Sequence, residues 1–470
     1  MTSPNILLFL TDDHGAWATG CYGNAEVQSP TLNQLAREGV RFAHAFTPSP
    51  VCSPARACLL TGRTPSQVGI HDWIQDSEPE FGDHDWLRDE VTLPELLHGA
   101  GYYCGLSGKW HLGRAQETPR GFDWYFGLPG WQGDHIETYT YVLNGQPVTL
   151  TGNKTGFITD HALRFLDTTP ADRPFFLQVG YIATHSPYAN QEPDLVARYR
   201  GAAFRDIPPY TPHPWRQNEG FPQRATWTDE ELRSRYANYY AAVTDMDRHA
   251  ARLLDRLRAQ GRLDSTLVIY TSDHGLALGH NGFWGKGNST RPLNMYEISI
   301  QVPLILRLPG EIPADHVVAR CVDHYDSFQA ICDWAGVDPA RAAPSAQYPG
   351  RSYRPLAQHT PPPDWSDTIC GEYGDLRMIR TPHYKLVRRY PHGPDDLFDL
   401  RADPGERTNL ADDPAHAATV RALTADLDAF YARYSDPVHS GLRVKALRQH
   451  NRHVEAWRDG IREARGLQRY

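Results

Sequence analysis

The fold is decided by residues 5–15, which read Asn-Ile-Leu-Leu-Phe-Leu-Thr-Asp-Asp-His-Gly. The apolar run from residue 5 to residue 10 predicts a short buried strand, and the polar residues and glycine after it predict a loop. A second apolar run, at residues 267–271, is followed in the same way by Asp273 and His274. In open α/β sheets ligands bind beyond the carboxyl ends of the strands, so we expect both acidic groups at one binding edge.

Similar runs recur along the chain. Further buried strands are predicted at residues 102–106, 175–180 and 303–308, and helices at residues 30–39, 230–260 and 327–335. The strands are continuously apolar and alternate with helices. This pattern predicts an α/β domain whose mostly parallel sheet is sandwiched by helices.

The last quarter of the chain has a different pattern. Short strands are predicted at residues 368–373, 376–380 and 384–389, and a helix at residues 414–434. We therefore expect a catalytic domain at residues 1–362 and a smaller α+β subdomain with an antiparallel sheet and a helical tail at residues 363–470. Two segments rich in Gly, Pro, Trp and His, residues 111–155 and 183–228, are predicted to be long irregular loops with a functional role.

Composition excludes several classes of protein. With 40% hydrophobic residues among 470, the chain can fill a core, and its net charge of −9 argues against a nucleic-acid binder. No apolar run approaches the roughly 18 residues of a membrane span, so no membrane partner is expected. The start lacks the features of a signal peptide, and we expect a cytoplasmic protein. Seven scattered cysteines without C-x-x-C spacing predict neither a disulfide scaffold nor a structural zinc site.

The acidic groups after the two strands indicate a cation site. If Asp12, Asp13 and Asp273 come together, they repel one another unless a cation lies between them. Oxygen ligands favour Ca²⁺ or Mg²⁺, while the imidazole of His274 also admits Mn²⁺ or Zn²⁺. Each Asp-His-Gly stretch taken alone is explained equally well by an ordinary turn.

A third element is Cys52-Ser53-Pro54-Ala55-Arg56. Ser-Pro predicts the start of a helix, which places Cys52 at its positive end and favours an anionic substrate there. Arg56 lies one turn further on and is expected to turn back toward Cys52. The alternative is a buried structural cysteine.

These five residues match the Cys-x-Pro-x-Arg signature, and Leu-Thr-Gly-Arg at residues 60–63 matches its continuation. The chain thus resembles the type I sulfatases of the alkaline-phosphatase-like superfamily. Further matches cover most of the chain, at residues 12–13, 107–113, 184–187, 273–275, 285–287 and 397–410. The resemblance implies the alkaline-phosphatase-like fold and the conversion of Cys52 to formylglycine by a maturation enzyme.

The resemblance also implies one divalent metal ion and its ligands. The implied ligands are Asp12, Asp13, Cys52, Asp273 and His274. The implied ion is Ca²⁺, with Mn²⁺ or Mg²⁺ as alternatives. Many members have Asn where this chain has His274, which makes Ca²⁺ less certain here and favours Mn²⁺ more than usual.

The implied reaction is hydrolysis of a sulfate ester. The implied catalytic residues are Cys52, Arg56, Lys109, His111, His185 and Lys286. A hydroxyl of the hydrated formylglycine attacks sulfur, and His185 protonates the leaving alcohol. His111 then deprotonates the second hydroxyl, which expels sulfate. Two other functions remain open: hydrolysis of phosphonate monoesters or phosphodiesters, and non-catalytic binding of sulfated ligands.

The expected substrate is a small or carbohydrate-type sulfate ester. Candidate contacts lie in pocket-lining and inserted segments: Trp73, Trp131, His135, His280, Asn288 and Arg291. Burial or an ordinary loop is the alternative for each.

Two charged stretches and the five lysines are the remaining distinctive features of the sequence. The acidic residues 76–90 and the basic residues 439–470 are predicted to be solvated surfaces, and the alternative is that the basic tail docks on an acidic surface of its own or a neighbouring subunit. A homo-oligomer is thus left open. The chain has 5 lysines against 42 arginines, which reflects either an arginine-biased genome or the retention of lysine where guanidinium does not substitute.

Overall fold

The computed structural model describes residues 3–130, 136–186, 189–215 and 227–452. Two candidate substrate residues, Trp131 and His135, lie outside the described residues. The strands are β1 Asn5–Thr11, β2 Val40–Phe46, β3 Tyr103–Gly108, β4 Trp124–Gly127, β5 Ile136–Leu143, β6 Gln146–Asn153, β7 Phe175–Gly180, β8 Thr266–Ser272, β9 Ala277–Leu278, β10 Trp284–Gly285, β11 Gln301–Val302, β12 Leu304–Arg307, β13 His316–Asp323, β14 Ile369–Tyr373, β15 Leu376–Arg380, β16 Tyr384–Arg389 and β17 Asp396–Asp399. The helices are α1 Pro30–Glu38, α2 Cys52–Thr61, α3 Pro65–Val68, α4 Pro79–Gly82, α5 Leu93–Gly99, α6 Lys154–Thr168, α7 Pro193–Tyr199, α8 Asp229–Ala259, α9 Glu297–Ile300, α10 His324–Ala335, α11 Pro339–Ala342, α12 Arg354–Ala357 and α13 Ala417–Arg433.

The main sheet has a parallel centre, and its flanks are antiparallel except for the parallel β13–β2 pair. Its order is β11-β2-β12-β8-β1-β7-β3-β4-β5-β6, and β13 pairs with β2. The neighbours β8, β1, β7, β3 and β4 are all parallel, whereas β12 and the β5–β6 hairpin are antiparallel to their neighbours. The α/β class with a mostly parallel sheet is therefore confirmed.

Strand β1 shows why its sequence is apolar throughout. Successive side chains of a strand point to opposite faces of the sheet. Ile6 and Leu8 belong to the cluster that contains residues of α2, α5 and α10, whereas Leu7 and Phe9 belong to the cluster that contains residues of α6 and α8. Because helices cover both faces, every position of the strand core must be apolar.

The prediction of an irregular segment at residues 111–155 is wrong, because β4, β5 and β6 lie within it. The β5–β6 hairpin turns at Asn144 and Gly145, whose φ angles of 50° and 79° are both positive. Such a pair of positive angles is typical of the two-residue type I′ hairpin turn, which Asn-Gly favours. The second predicted loop, residues 183–228, contains the helix α7.

The C-terminal antiparallel sheet is confirmed, in the order β14-β15-β16-β17. Helix α13 covers it, with Leu427 packed in one cluster with Ile379 and Leu386. The predicted helix at residues 414–434 begins as a 3₁₀ turn at Pro414–His416 and continues as α13. Strand β14 begins a few residues after the predicted boundary at residue 362, which stays a prediction.

The basic tail and the acidic stretch meet in this fold. Arg452 Nη2 lies 3.3 Å from Glu78 Oε2 and 3.6 Å from Glu80 Oε2. The part of the tail that the structure describes thus contacts the acidic stretch of the same chain, which is the alternative raised from the sequence. Among the described residues, no helix has both the length and the apolar composition needed to cross a membrane.

Candidate active site

Adjacent strands bring the two acidic groups together. In the β1–β8 pair Thr11 lies opposite Ser272, so the residues that follow each strand are neighbours. The amide of Asp273 donates to the carbonyl of Thr11 over 3.0 Å, which continues the ladder by one residue. Asp12 and Asp13 are buried, as are Asp273 and His274. The register of two central strands therefore sets the relative positions of three carboxylates and one imidazole.

Helix α2 brings Cys52 to this group. The helix begins at Cys52, as the Ser-Pro pair predicts, and the side chain is buried. Its Sγ atom lies 3.4 Å from Asp12 Oδ1 and 3.2 Å from His274 Nε2. The positive end of the helix thus faces the carboxyl edge of the sheet.

Four side chains form a group that could hold a metal ion. Donor atoms of Asp12, Asp13, Cys52 and His274 all lie within 4.8 Å of one another. Asp273 adjoins this group, with Oδ1 3.6 Å from His274 Nε2. Buried carboxylates with one imidazole suit a divalent cation such as Ca²⁺, Mg²⁺ or Mn²⁺, so the donor set fits the expected ion class.

Each carboxylate of the site also has a cationic partner. Lys109 Nζ lies 2.5 Å from Asp12 Oδ2, and Lys286 Nζ lies 2.7 Å from Asp13 Oδ1 and 3.1 Å from Cys52 Sγ. The side chain of Arg56 bonds Asp273 and the Lys109 backbone, and its predicted role toward residue 52 stays a prediction. Its Nε donates to Asp273 Oδ2 over 2.9 Å and its Nη1 to the carbonyl of Lys109 over 3.1 Å, so it joins the second acidic group to the lysine loop.

The lysines offset charge of the acids in the site and favour the ionised form of its buried groups. Burial alone would raise the pKa of Asp12, but the charges of Lys109, His185 and Lys286 hold that pKa well below its ordinary value. Burial and the Asp12 carboxylate also oppose ionisation of Cys52, yet Lys109 and Lys286 lower the pKa of the thiol to about 6. The surroundings of residue 52 therefore stabilise negative charge, as a site for a sulfate oxyanion must.

Two histidines have fixed ring orientations. His111 Nε2 lies 2.8 Å from the carbonyl of Ile74 and therefore carries the hydrogen, which leaves Nδ1 as the basic nitrogen. Burial and Lys109 lower the pKa of His111 well below its ordinary value, so its ring is neutral. His185 Nδ1 donates to the carbonyl of Ser186 over 2.8 Å. Each imidazole is thus held in one tautomer, as proton transfer at a defined atom requires.

Two glycines position Lys109 at the end of β3. Its amide donates to the carbonyl of Gly180 over 2.9 Å. A Cβ on Gly108 would lie 2.1 Å from the carbonyl oxygen of Gly180, and a Cβ on Gly180 would lie 2.7 Å from the amide of Lys109. Only glycine permits these backbones to approach so closely.

Of the four candidate substrate residues that the structure describes, three remain candidates, whereas both ring nitrogens of the fourth, His280, are hydrogen-bonded within the protein. Trp73 is half-buried and packs on the cluster that contains Val51, beside Cys52. Asn288 and Arg291 lie in the loop of Lys286, where Arg291 Nη1 donates to the carbonyl of Asn288 over 2.6 Å. Both ring nitrogens of His280 are used elsewhere, at 2.8 Å from the carbonyl of Asp206 and 3.2 Å from the amide of Leu278.

Several supporting residues were not predicted from the sequence. Ser53 Oγ donates to the carbonyl of His111 over 2.8 Å and accepts from the amide of Ile74 over 2.9 Å. The Thr184 hydroxyl donates to the carbonyl of Asp12. Both lie inside matched motifs, and that was the only sequence signal for them. The roles of the predicted site residues stay predictions.

The chain is similar to known proteins over most of its length. The family model described as Sulfatase matches residues 4–337, and the model described as N-sulphoglucosamine sulphohydrolase, C-terminal, matches residues 291–433. N-acetylglucosamine-6-O-sulfatase of Bacteroides thetaiotaomicron is 27% identical, over 92% of this chain and 87% of its own. Choline-sulfatase of Rhizobium meliloti is 29% identical, over 90% of this chain and 86% of its own. A solved structure in complex with its substrate D-glucosamine-2-N,6-O-disulfate is 26% identical with a TM-score of 0.77, and the match covers 93% of this chain and 99% of that one.

Proposed function

This chain belongs to the sulfatase family and hydrolyses sulfate esters, and on that premise we propose that Cys52, converted to formylglycine by a maturation enzyme, is its nucleophilic position. One observation carries the proposal. Cys52 Sγ lies within 3.4 Å of a carboxylate, an imidazole and an ammonium group, those of Asp12, His274 and Lys286. Hydrated formylglycine would supply two hydroxyls on one carbon, one to attack sulfur and one whose deprotonation releases sulfate.

We further propose that Asp12, Asp13, Asp273, His274 and residue 52 hold one divalent cation. Ca²⁺ is the ion we propose, with Mn²⁺ or Mg²⁺ as alternatives. The ion would offset the charge of the carboxylates and of the sulfate oxygens.

The remaining polar groups of the site have separate roles in the reaction. Lys109 contacts Asp12 and Lys286 contacts Asp13. The two ammonium groups neutralise charge that develops on the sulfate oxygens. Arg56 keeps Asp273 in place through its 2.9 Å bond. His185 gives a proton to the departing alcohol, and His111, neutral and with Nδ1 as its basic nitrogen, takes the proton whose loss frees sulfate.

The proposed substrate is a carbohydrate sulfate ester of small size. One relative is named for N-acetylglucosamine 6-O-sulfate hydrolysis, and a solved relative holds a disulfated glucosamine. Trp73 adds a half-buried aromatic surface on the cluster that contains Val51, and such a surface could stack on the face of a sugar ring. Turnover of glucosamine-type 6-sulfates should exceed that of choline sulfate in a panel assay, and the reverse order would reject the carbohydrate assignment.

The nucleophile is tested by mass and by substitution. Conversion to formylglycine lowers the mass of the peptide that contains residue 52 by roughly 18 Da relative to cysteine. Cys52→Ala should abolish turnover of 4-nitrophenyl sulfate and leave the protein folded. Cys58→Ala is the matched control, because Cys58 is buried in the same helix and is outside the group of donor atoms. Unmodified cysteine after co-expression with a maturation enzyme, together with no turnover of any aryl sulfate, would reject the proposal.

The rival phosphonate or phosphodiester reaction is separated by substrate preference. We expect kcat/KM for 4-nitrophenyl sulfate to exceed that for a 4-nitrophenyl phosphonate monoester measured with the same formylglycine content. A preference for the phosphonate would assign the chain to the other reaction of the superfamily.

A further inference from the structure

The tail segment, residues 436–452, lies along a loop that borders the site. The amide of Asp436 donates to the carbonyl of Ser66 over 2.9 Å, and the amide of Gln75 donates to the carbonyl of His450 over 2.9 Å. The amide of Arg452 reaches Gln75 Oε1 at 3.0 Å. The pocket loop, defined here as residues 69–75, is therefore covered by a segment distant in sequence.

Two buried residues of the tail segment make the closest contacts. Asn451 Nδ2 donates to the carbonyl of Trp73 over 2.9 Å and to Asp72 Oδ2 over 3.1 Å. The His450 ring accepts from the amide of His71 over 3.1 Å and stacks on Trp86, with ring centroids 4.4 Å apart. Both residues have no exposed surface, so their hydrogen bonds are made away from solvent.

The pocket loop carries these contacts to the site through Ile74. Its amide donates to Ser53 Oγ, beside Cys52, and its carbonyl accepts from His111 Nε2 at 2.8 Å. Trp73 and Gln75, the residues on either side of Ile74, are both hydrogen-bonded to the tail segment. The tail therefore holds both neighbours of the carbonyl that selects the tautomer of His111.

A second observation supports a role for this tautomer. Nδ1 of His111 is buried and has no hydrogen-bond partner among the described residues. His111 itself has a φ of 64°, in the left-handed region that a side chain adopts at a cost. The orientation of the strained His111 ring therefore depends on the Ile74 carbonyl, which accepts from Nε2 and leaves Nδ1 as the basic nitrogen.

We propose that Asn451 and His450 are positioning residues for the release of sulfate, acting through Ile74 on His111. The inference rests on the function proposed above for His111. Misplacement by about 1 Å can cost about 100-fold in rate, so loss of a buried clamp on the pocket loop is enough to slow proton transfer. The tail segment lies outside every matched active-site motif, and its two residues would affect the reaction only by positioning His111.

The test is Asn451→Ala with 4-nitrophenyl sulfate as substrate. Nitrophenol leaves before the step assigned to His111, so slowing that step should lower kcat and KM together, by about tenfold, and leave kcat/KM unchanged. A burst of nitrophenol equal to the formylglycine content should precede the slow phase. Arg448→Ala is the matched control, because its exposed side chain bonds the carbonyl of Glu80 and not the pocket loop, and it should retain the rates of the unaltered enzyme.

Loss of folded protein gives a different result. It would lower kcat and kcat/KM equally without a burst, and that pattern, or an unchanged kcat, would overturn the proposal. In a His111→Ala background, Asn451→Ala should cause no further loss, whereas a full additional loss would show that the two residues act independently. Absence of formylglycine and of turnover in the unaltered enzyme would instead reject the proposed function.

Discussion

Lysine stands at both positions where a cation meets the carboxylates that follow β1. Lys109 contacts Asp12, and Lys286 contacts both Asp13 and Cys52. An ammonium group is compact and donates in three directions, whereas guanidinium is a planar fork that needs more room. In a chain with 42 arginines, Lys286 occupies a place where Asp13, Cys52 and His274 converge on one nitrogen, and Lys109 makes one short contact to Asp12.

Replacing Lys109 or Lys286 by Arg should therefore impair turnover. We expect kcat/KM to fall on the order of 100-fold, the size typical of losing one well-placed group at an oxyanion site. Lys445→Arg is the control, because Lys445 is exposed. Rates within twofold of the unaltered enzyme in both site variants would show that the choice of lysine is incidental.

Residues of the site were predictable where the chemistry is local. Cys52, Lys109 and Lys286 lie in short motifs, and the structure brings them together with the acids of the two strands. Asn451 could not be predicted, because its partners Asp72 and Trp73 are almost 380 residues away in sequence. Hydrogen bonds between distant segments leave no periodic pattern.

At the scale of elements, the close approach of β3 and β7 determines the position of the Lys109 backbone. Gly180→Ala would place a Cβ 2.7 Å from both the amide nitrogen and the carbonyl oxygen of Lys109, so the lysine backbone must move. We expect kcat/KM to fall at least tenfold with a loss of about 1–3 kcal/mol in the free energy of unfolding, as overpacking causes. Gly201→Ala is the control, since no atom lies within 4 Å of its added Cβ. Equal activity in the two variants, measured alongside chemical denaturation, would contradict the role of this contact.

The elements most accurately predicted are those buried on both faces. The ends of strands β1, β7 and β8 lie within about one residue of their predicted positions. A short continuously apolar run is typical of a parallel strand that is buried on both faces. The β5–β6 hairpin was missed because many of its side chains are exposed and its polar threonines resemble a loop. Asn144-Gly145 was the available signal for it.

At the scale of the whole molecule, a buried ion cluster joins the C-terminal sheet to the main domain. Lys385 of β16 has no exposed surface, and its Nζ donates to the carbonyl of Met295 over 2.8 Å. The same nitrogen contacts Glu297 Oε1 at 3.2 Å and also Glu406. Arg380 reaches Glu297 from the neighbouring strand. Lys385 thus contacts residues from two other segments that are distant in sequence, and Arg380 shares the charge of Glu297 with it.

Lys385→Met should destabilise the protein by about 3–5 kcal/mol, because it removes the cation that contacts buried Glu406 and leaves Glu297 with Arg380 alone. Chemical denaturation measures this loss, and Lys445→Met is the exposed control. Adding Glu297→Gln and Glu406→Gln should restore part of the stability. A midpoint equal to that of the control would show that the cluster is stable without its lysine.

The place of the tail segment has a consequence for the order of events during synthesis. Residue 52 leaves the ribosome roughly 400 residues before Asn451, which at the usual elongation rates is about 20 to 80 s. During that interval the segment that covers the pocket loop has not yet been made, and for much of it neither has β8, the strand that His274 follows. In the finished fold Cys52 is only 2% exposed. The conversion to formylglycine that we propose for Cys52 would therefore compete with folding of the chain, and the tail segment would be the last described part to emerge.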